Sequence, residues 1–487
     1  MRILAALLAL LLTALPRALG QTLPDLGEGS GGTLPPQIER KVGESILREI
    51  RLRESGYLDD PEIADYLNQL GGRLVAAVPG ARQDFEFFAM RDTTINAFAL
   101  PGGFVGVHTG LLTASESESE VASVLAHEVA HVTQRHIARL LGAQQKMQIP
   151  AMVALAAAIL LGNSRPDLAQ GAILAAQGAA VQAQLSYSRD FEREADRIGF
   201  QTLSGAGFDV RAMSAFFEKM QRFMRVADDG SVPGYLRSHP VTTERIADAQ
   251  SRSASQPYRQ HLDSLDFHLV RAKLRAEVGE PHEAVTEFEA AIRERRYANE
   301  TAARYGVVVA LLRARQPREA ENAMARLRAS SAASPMLVTL AARVAQAAGD
   351  GARALAVLKE GSERWPHRRP IVYAYAEALG RQGRHDDALA YLNAEVRTYP
   401  RDERLHEMLA KTYAALGRRL QQHQAQAEVY ALRGSLPAAI EQLQLARAAG
   451  DGDFYELSAV EARLKELRAE HTREVRESRK SGPTAPR

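Results

Sequence analysis

His127-Glu128-Val129-Ala130-His131 lies inside an apolar run that extends from Val121 to Val132. Apolar residues recur along this run at the spacing of an amphipathic helix, so we predict a helix here. On such a helix His127 and His131 project from one face, one turn apart, where both imidazoles can bind a single metal ion. Glu128 follows His127 directly and could reach a water molecule held at that ion, acting as a general base.

The sequence around this helix adds two observations. Ser117 and Glu120 stand three residues apart just before the apolar run, which predicts a capping box at the helix N-terminus. The five quoted residues match the H-E-x-x-H pattern of zinc peptidases. Only three positions are fixed in that pattern, so the alternative is a helix that carries two histidines around a glutamate by chance.

A third metal ligand is predicted downstream, because catalytic zinc usually takes three protein ligands and keeps a fourth position for water. Between Ser188 and Gly199, Glu192 and Asp196 are one helical turn apart on one face. We expect Glu192 to bind the metal and Asp196 to orient a ligand imidazole. Glu194 points elsewhere on this helix and is the weaker candidate. The alternative is a salt-bridged surface helix, because three arginines surround the acids: Arg189, Arg193 and Arg197.

The composition is that of an ordinary soluble protein, and its 487 residues are enough for two or more domains. The net charge of +2 gives no electrostatic basis for nucleic-acid binding. The chain has no cysteine, which excludes disulfides, thiolate metal ligands, cysteine catalysis and a lipidated N-terminal cysteine. A metal site in this protein must therefore use histidine and carboxylate side chains.

The first twenty residues have the pattern of a secretory signal peptide. Arg2 precedes an apolar run from Ile3 to Leu15, which is too short to span a bilayer comfortably, and Ala18-Leu19-Gly20 forms a small-x-small cleavage site. We predict a mature chain that begins near Gln21; the alternative is an uncleaved N-terminal anchor. Export without a lipid signal indicates the periplasm, provided that the source is a Gram-negative bacterium.

The sequence between this N-terminus and the quoted stretch predicts two helices and a small sheet. Ile38 to Glu54 and the stretch that Pro61 opens have helical periodicity. Phe85 to Ala89 alternates like a half-buried strand, and Thr94 to Leu100 and Phe104 to Val107 predict two more strands. An exposed edge strand here could bind a peptide by strand addition. The alternative is a hairpin without a ligand.

Residues 142–185 are rich in Ala, Leu and Gln and contain a strongly apolar stretch from Pro150 to Gly162. That stretch is shorter than the roughly 20 residues that a membrane-spanning helix needs. We therefore expect two short helices over the metal site, in a position where they could touch a membrane surface.

From about residue 256 the sequence becomes a series of helical patterns that repeat at about 34 residues, the period of tetratricopeptide repeats. Such repeats stack into a solenoid with a concave, partner-binding surface. We expect an irregular insertion that includes Gln421 to Gln426, before the unit around Gly434. Residues 471–487 are charged and polar, which predicts a disordered tail. The small residues that mark the repeat are Ala284, Ala320, Ala354 and Ala388.

The metal-site segments resemble the zinc metallopeptidases that include the CAAX prenyl protease and the HtpX-type membrane proteases. In that family H-E-x-x-H is followed by E-x-x-A-D, which Glu192 to Asp196 match here. The stretch from Asn96 to Gly103 resembles the family's strand and turn beside the active-site cleft, and Ser238-His239-Pro240 resembles its His-Pro element. With the repeats included, nearly the whole chain resembles a periplasmic subset of this family, the beta-barrel assembly-enhancing proteases.

This resemblance implies an α+β fold that is mainly helical. A zincin-like metallopeptidase domain with a small sheet would precede an all-α tetratricopeptide solenoid. We predict a signal peptide at 1–20, the metallopeptidase domain at 21–255, the repeat domain at 256–470 and the tail at 471–487.

The resemblance also implies a periplasmic zinc metalloendopeptidase with one Zn²⁺ per chain. It would have a chaperone-like role in the assembly and quality control of outer-membrane β-barrel proteins and would degrade misassembled clients. The expected partners are unfolded or misassembled outer-membrane proteins and, through the repeats, the β-barrel assembly machinery, with a peripheral membrane contact. The residues that receive roles are the metal ligands His127, His131 and Glu192, the catalytic Glu128, and the substrate-binding strand residues Asn96, Ala97 and Phe98.

His239 has two competing roles under this resemblance. Pro240 restrains it to an extended conformation, which can aim the imidazole at the metal. As a hydrogen-bond donor to the tetrahedral intermediate it would assist catalysis. As a fourth ligand it would displace the catalytic water and act as a latch, which we favour because a protease among unfolded clients needs restraint. The alternative for His239, and also for His108 and His136, is a packed or solvated histidine without a role at the metal.

Two other functions stay open at this point. The chain could be a tetratricopeptide scaffold or chaperone with a vestigial or latent protease domain, although the intact motifs argue against a vestigial one. It could also be a general periplasmic peptidase with no role in assembly. Capture of bound proteins by a Glu128→Gln variant would separate these functions.

Overall fold

The computed structural model describes residues 34–81, 83–142, 189–226 and 234–480 of the chain. The predicted signal peptide and the apolar stretch 150–162 lie outside these residues. Within them, no helix combines the length and the apolar character that crossing a membrane requires.

The first part of the chain folds as helices around a small sheet. Its strands are β1 (Tyr57–Leu58), β2 (Glu86–Met90), β3 (Ala97–Leu100) and β4 (Phe104–His108). Its helices are α1 (Pro36–Arg53), α2 (Pro61–Ala76), α3 (Thr109–Ala114), α4 (Glu118–Thr133), α5 (His136–Gly142), α6 (Arg189–Gly205), α7 (Arg211–Val226), α8 (Gly234–Ser238) and α9 (Thr243–Ala254).

The sheet has the strand order β1-β2-β4-β3, in which β2 and β4 are parallel and the other two pairs are antiparallel. Among the described strands β3 pairs only with β4, so β3 forms one edge of the sheet. The β3–β4 hairpin turns through Gly102 and Gly103, whose φ angles of 76° and 101° suit residues without a Cβ atom.

The central strand β2 is buried on both faces, so the prediction of a half-buried strand was wrong. Phe87 and Ala89 face a core that they share with α2 and α4. Phe88 and Met90 face a second apolar cluster, in which α1 supplies residues such as Ile46. Because α1 covers the second face, both sets of side chains are removed from water.

The active-site helix candidate, α4, begins where the sequence predicted. The Ser117 hydroxyl accepts a hydrogen bond from the backbone N–H of Glu120 and caps the helix. The other half of the predicted capping box does not form. The Glu120 carboxylate instead accepts from the backbone N–H of Glu116 at 3.0 Å and from Lys219 Nζ at 2.6 Å.

From Leu265 onward the chain forms a solenoid of helix pairs. Gly279, Gly349 and Gly383 follow helix ends with φ angles of 67°, 83° and 70°. The helices are α10 (Leu265–Ala276), α11 (Pro281–Arg293), α12 (Glu300–Arg313), α13 (Pro317–Ser330), α14 (Pro335–Ala347), α15 (Gly351–Arg364), α16 (Arg369–Arg381), α17 (His385–Thr398), α18 (Glu403–Ala415), α19 (Arg419–Leu432), α20 (Leu436–Ala448) and α21 (Phe454–Lys480).

Two expectations about the repeats were wrong. The segment from Gln421 to Gln426 is not an irregular insertion, because it lies within the regular helix α19. Gln422 stands 34 residues after Ala388, at the position where the repeat pattern predicts a small residue. Because glutamine occupies this position, the repeat that contains α19 was not predicted. The predicted disordered tail is also helical as far as Lys480, since α21 continues through residues 471–480.

The repeats pack back onto the first part of the chain through α2. One hydrophobic core extends without interruption from Leu58 in β1 to Val344 in α14. Ion pairs reinforce this contact: Lys273 Nζ of α10 lies 2.6 Å from Glu62 of α2, and Arg368 lies 2.7 Å from Asp65 of α2. The other side of α2 packs against α4. The helix α2 therefore lies between the candidate site and the repeats.

Candidate metal centre

Two packed helices, α4 and α6, bring the predicted metal ligands together. A Cβ atom at Gly199 of α6 would stand 3.1 Å from the backbone of His127, so the missing side chain allows a close approach. Glu192 lies two turns earlier on α6 and reaches the imidazoles of His127 and His131. All three side chains are buried.

The donor atoms of these three side chains form a compact cluster with His239. The two Nε2 atoms of His127 and His131 are 3.0 Å apart, and Glu192 carboxylate oxygens lie 3.5 Å and 3.4 Å from them. His239 Nδ1 is 3.3 Å from His127 Nε2 and 3.1 Å from Glu192 Oε1. Four donors around a tetrahedral zinc ion, with bonds of about 2.0–2.1 Å, stand roughly 3.3–3.4 Å apart.

These distances fit one zinc ion, and the cluster is the one group of such ligands among the described residues. The protonation states of two of its members, Glu192 and His131, suit a cation as well. Glu192 is buried, yet the imidazoles around it, His239 first, hold its pKa well below the usual range. Burial lowers the pKa of His131 far below its ordinary value. Both groups are therefore ready to coordinate a metal without losing a proton first.

His127 is held from its other side by Asp196, as the sequence predicted. Asp196 Oδ1 lies 3.0 Å from His127 Nδ1, which leaves Nε2 to face the cluster. Burial opposes a positive charge on His127, but the nearby carboxylates of Asp196 and Glu192 outweigh it and raise the pKa of His127 to about 9. Metal binding at this imidazole therefore competes with a proton.

Arg245, on α9, was not identified from the sequence. Its Nε and Nη2 donate to the two carboxylate oxygens of Asp196 at 2.6 and 2.8 Å, and its Nη1 lies 2.8 Å from Glu192. The Asp196 carboxyl is buried, but hydrogen bonds from His127 and Arg245 lower its pKa below the ordinary value. Arg245 thus fixes both carboxylates of α6. Arg245 lies six residues after His239. That spacing does not place two residues on one helix face, so no helical pattern indicated Arg245.

His131 also has a supporting pair that the sequence did not reveal. His136 Nδ1 lies 2.8 Å from His131 Nδ1, and His136 Nε2 lies 3.1 Å from Glu194 Oε2. The ring of Phe191 stacks on His136 at 4.4 Å. Glu194 points away from the metal cluster, as predicted, but it orients His136. A ligand imidazole held through its second nitrogen in this way presents its Nε2 lone pair to the metal.

Glu128 lies at the centre of this site and is fully buried. Neither of its carboxylate oxygens makes a hydrogen bond to another group in the part of the chain that is described. The His239 imidazole lies beside it, with Nε2 3.5 Å from Glu128 Oε1. Burial raises the pKa of the Glu128 carboxyl. A buried carboxylate with unused lone pairs requires a partner, such as a water molecule or a substrate proton.

The predicted position of His239 near the ligands is observed. It follows α8, and its backbone N–H donates to the carbonyl of Tyr235 at 2.8 Å. The Tyr235 ring stacks on the His239 imidazole with centroids 4.8 Å apart. Tyr235 also donates its backbone N–H to the carbonyl of Ile95, just before β3. The segment α8 is thereby attached both to the edge strand and, through His239, to the metal cluster.

The predicted substrate strand is the edge strand β3, which packs along α4. The side chain of Phe98 is buried among Phe88 and His108, so any contact of this residue with a ligand would use its backbone. Asn96 is buried, and its Oδ1 has no hydrogen-bond partner among the described residues. The His108 ring is packed in the sheet, 3.0 Å from Thr94 Oγ1, and lies outside the metal cluster.

Comparison with known proteins places this geometry in a family. Residues 61–253 match the model of peptidase family M48, and residues 345–412 match a tetratricopeptide repeat model. The beta-barrel assembly-enhancing protease of Yersinia pestis is 32% identical over 448 residues, which are 92% of this chain and 91% of that protein. The chain belongs to the beta-barrel assembly-enhancing proteases of peptidase family M48.

Two further sequence relatives agree with that assignment. The Escherichia coli protein of the same name is 31% identical over 92% of this chain and 91% of its own length. A Vibrio cholerae relative is 40% identical over 252 residues, 52% of this chain and 51% of that one. Among solved structures, YrrB, a TPR protein with an unusual peptide-binding site, matches with a TM-score of 0.29 at 17% identity over 38% of this chain and 93% of its own.

Family membership establishes the coarse function of this chain. It is a metallopeptidase, and its cofactor is zinc, for which the cluster of three histidines and one glutamate is suited. The fold prediction is confirmed: a mainly helical peptidase part with a small sheet is followed by tetratricopeptide repeats.

Proposed function

We propose that His127, His131 and Glu192 hold the zinc ion and that Glu128 is the general base of peptide hydrolysis. The support is the cluster geometry, in which neighbouring donor atoms stand 3.0–3.5 Å apart, close to the spacing around a tetrahedral zinc ion. Glu128 is adjacent in sequence to a ligand and buried without a hydrogen bond among the described residues. Asp196 and His136 would orient the two ligand imidazoles.

Zinc, when bound, supplies a Lewis acid that polarises the scissile carbonyl. Glu128 accepts a proton from the attacking water and returns it to the leaving amine, a role that a buried carboxylate of raised pKa performs well. The substrate lies as an added strand along β3, where backbone groups of residues 96–98 bind it without regard to sequence. The unpartnered amide oxygen of Asn96 offers one further acceptor at that edge.

His239 acts as a latch on this site. Its Nδ1 occupies the fourth corner of the donor cluster and its Nε2 faces Glu128. A site with four protein donors has no position for the catalytic water, which is the arrangement of structural rather than catalytic zinc. Substrate entry therefore requires His239 to leave. The Tyr235–Ile95 hydrogen bond would be released with it, because both contacts belong to one short segment.

The repeats dock the enzyme to its clients and partners. The proposed clients are unfolded or misassembled outer-membrane proteins in the periplasm, which the enzyme helps to assemble or degrades, with the β-barrel assembly machinery as a partner. The name of the relatives in Yersinia pestis and Escherichia coli supports a link to β-barrel assembly. The signal-peptide pattern of residues 1–20 supports export. Residues 21–255 and 256–470 are the proposed peptidase and repeat domains, with a peripheral membrane contact from residues 142–185.

A second candidate function is a scaffold or chaperone with a latent protease. The closed donor cluster favours latency, since it describes an enzyme with no free position for water. A vestigial protease is disfavoured, because the complete set of ligands, base and supporting residues is assembled. A general peptidase without an assembly role would have the same metal site but would cleave other proteins than outer-membrane clients.

Capture of bound proteins separates these functions. The full chain with Glu128→Gln should retain zinc and hold clients that the wild type releases as fragments. Recovery of outer-membrane β-barrel proteins, in excess over wild type, is the expected result. A catch dominated by unrelated soluble proteins would indicate a general peptidase. Equal catches from the two proteins would indicate a scaffold that does not cleave what it binds.

A further inference from the structure

A groove of about 680 Å³ lies between the repeats and the start of α2. Its walls come from α14, α16 and α18, the first helices of three successive pairs, and its floor comes from the start of α2 at residues 60–62. A groove that crosses three repeats suits an elongated occupant, because stacked repeats present extended concave surfaces.

Most charged side chains that line this groove form an ion pair with an opposite charge, and two do not. Within the described residues, neither Arg343 on α14 nor Lys411 on α18 has a carboxylate at salt-bridge distance. Both exceptions are cations, and both are exposed. The other charged lining groups have partners: Lys273 pairs with Asp60 and Glu62, Arg381 with Glu377, Arg404 with Asp59 and Glu407 with Arg433.

Uncompensated positive charge on both sides of α16 attracts an anionic partner. Arg343 offers a planar fork that suits a carboxylate, and Lys411 offers a point charge. Apolar side chains also line the groove, among them Leu358, Ala374 and Met408. The complementary ligand therefore carries carboxylates separated by apolar groups, and an extended peptide with acidic and apolar side chains has that composition.

A nucleic acid or another polyanion fits less well. The acidic groups Asp60, Glu62, Glu377 and Glu407 also line the groove and would repel a dense row of phosphates. The chain's net charge of only +2 offers no long-range attraction to compensate.

We propose that this groove binds an extended polypeptide segment of a partner protein through carboxylates that pair with Arg343 and Lys411. The inference deepens the docking role of the repeats under the proposed function and names the chemistry of the segment that docks. It makes no use of the metal centre, so its test can fail while the proposed catalysis stands.

The test uses the full chain with Glu128→Gln, so that the probe is not cut. The probe is an amidated hexapeptide of three Glu-Leu repeats with an N-terminal fluorescein, compared with its three Gln-Leu isostere by fluorescence anisotropy. The acidic peptide should bind at least about tenfold more tightly at low salt. Arg343→Gln and Lys411→Gln should each weaken the binding by about threefold to fivefold, the range of an exposed ion pair. Lys359→Gln, which removes the same charge on α15 outside the groove, should leave the affinity unchanged.

Several results would overturn the proposal. Equal affinity for the two peptides would exclude carboxylate recognition. An equal loss in the Lys359 variant would mean nonspecific charge attraction. Binding that appears only after removal of residues 481–487 would assign the groove to the chain's own end. Self-association in sedimentation, abolished by Arg343→Gln, would assign it to a second copy. In every case zinc content and the thermal transition of each variant verify that the fold is intact.

Discussion

Replacement of Arg245 by methionine should loosen the metal centre far more than the loss of a surface arginine. The guanidinium reaches both oxygens of Asp196 and one of Glu192 at 2.6–2.8 Å. The three side chains are only 4–7% exposed. Methionine is nearly as long and can keep the contact with Phe217, over which the guanidinium lies. What is lost is the positive charge between two buried carboxylates.

The expected loss of stability follows from the burial of this ion pair. Removal of one partner of a buried ion pair costs about 3–5 kcal/mol, because the remaining charge stays buried without compensation. Arg193 provides a matched control: it joins the same helices, α6 and α9, with Nη2 3.1 Å from Glu244, but is 51% exposed. An exposed pair contributes about 0–1 kcal/mol. Arg193→Met should therefore cost several times less than Arg245→Met.

Hydrogen exchange measured by mass spectrometry suits this comparison, because a metal-binding protein with two parts does not unfold in one step. Both variants and the wild type are first treated with a chelator, since bound zinc would offset the missing charge. Amides of α6 and α9 should exchange about 10²–10⁴-fold faster in Arg245→Met, at about 1.4 kcal/mol per factor of ten. Arg193→Met should accelerate them less than about tenfold.

Arg245→Lys keeps the positive charge but loses the planar guanidinium group that contacts both carboxylates. Its exchange rates in α6 and α9 should therefore lie between those of the two methionine variants. Exchange in α16 and α18 of the repeats should be unchanged in all of them. Equal acceleration in Arg193→Met and Arg245→Met would refute the argument, as would an unchanged rate in α6. Either result would mean that the ion pair does not hold α9 on α6.

Four more predictions concern the site and the boundary of the repeats. Alanine at any proposed ligand should abolish the binding of one zinc per chain, whereas Glu128→Gln should retain zinc and lose about 10²–10⁴-fold in turnover; elemental analysis and a peptidase assay measure both. The proposed ligands are His127, His131 and Glu192. His239→Ala should raise cleavage and self-cleavage if His239 is a latch, and a lower rate in the same assay would make it a catalytic donor instead. His136→Ala should weaken zinc binding about 10–100-fold through His131, as a chelator competition would show. A chain that ends near residue 255 should aggregate in size-exclusion chromatography, because the core that continues into α14 would be cut open.

The metal cluster could be predicted from sequence because its spacing follows helical geometry. His127 and His131 lie one turn apart on α4, and Glu192 and Asp196 lie one turn apart on α6, so each pair marks a helix face. His136 and Arg245 could not be predicted in the same way. His136 follows a turn at Arg135, which has φ of 54°, and Arg245 belongs to a third helix. Their contacts exist only after the helices have packed.

The errors in the fold prediction have a similar origin. The alternation of Phe85 to Ala89 described one buried face correctly, but no local pattern could report that α1 covers the other face. The repeat unit at α19 escaped detection because Gln422 replaced the expected small residue. A repeat search that relies on one marker position fails wherever packing tolerates a larger side chain there.

The position of α2 sets a rule for building chimeras of this protein. One side of α2 contacts α4, and the other side supplies Asp60, Glu62 and Asp65 to the solenoid. A solenoid transplanted from a relative would meet an α2 that was selected for different neighbours, and Lys273 would lose both of its carboxylates if they differ. Domain exchange should therefore carry α2 along with the repeats, although more than 180 residues separate them in the sequence. The segments exchanged in a chimera should be chosen by the contacts that they make with one another and not by their order in the chain.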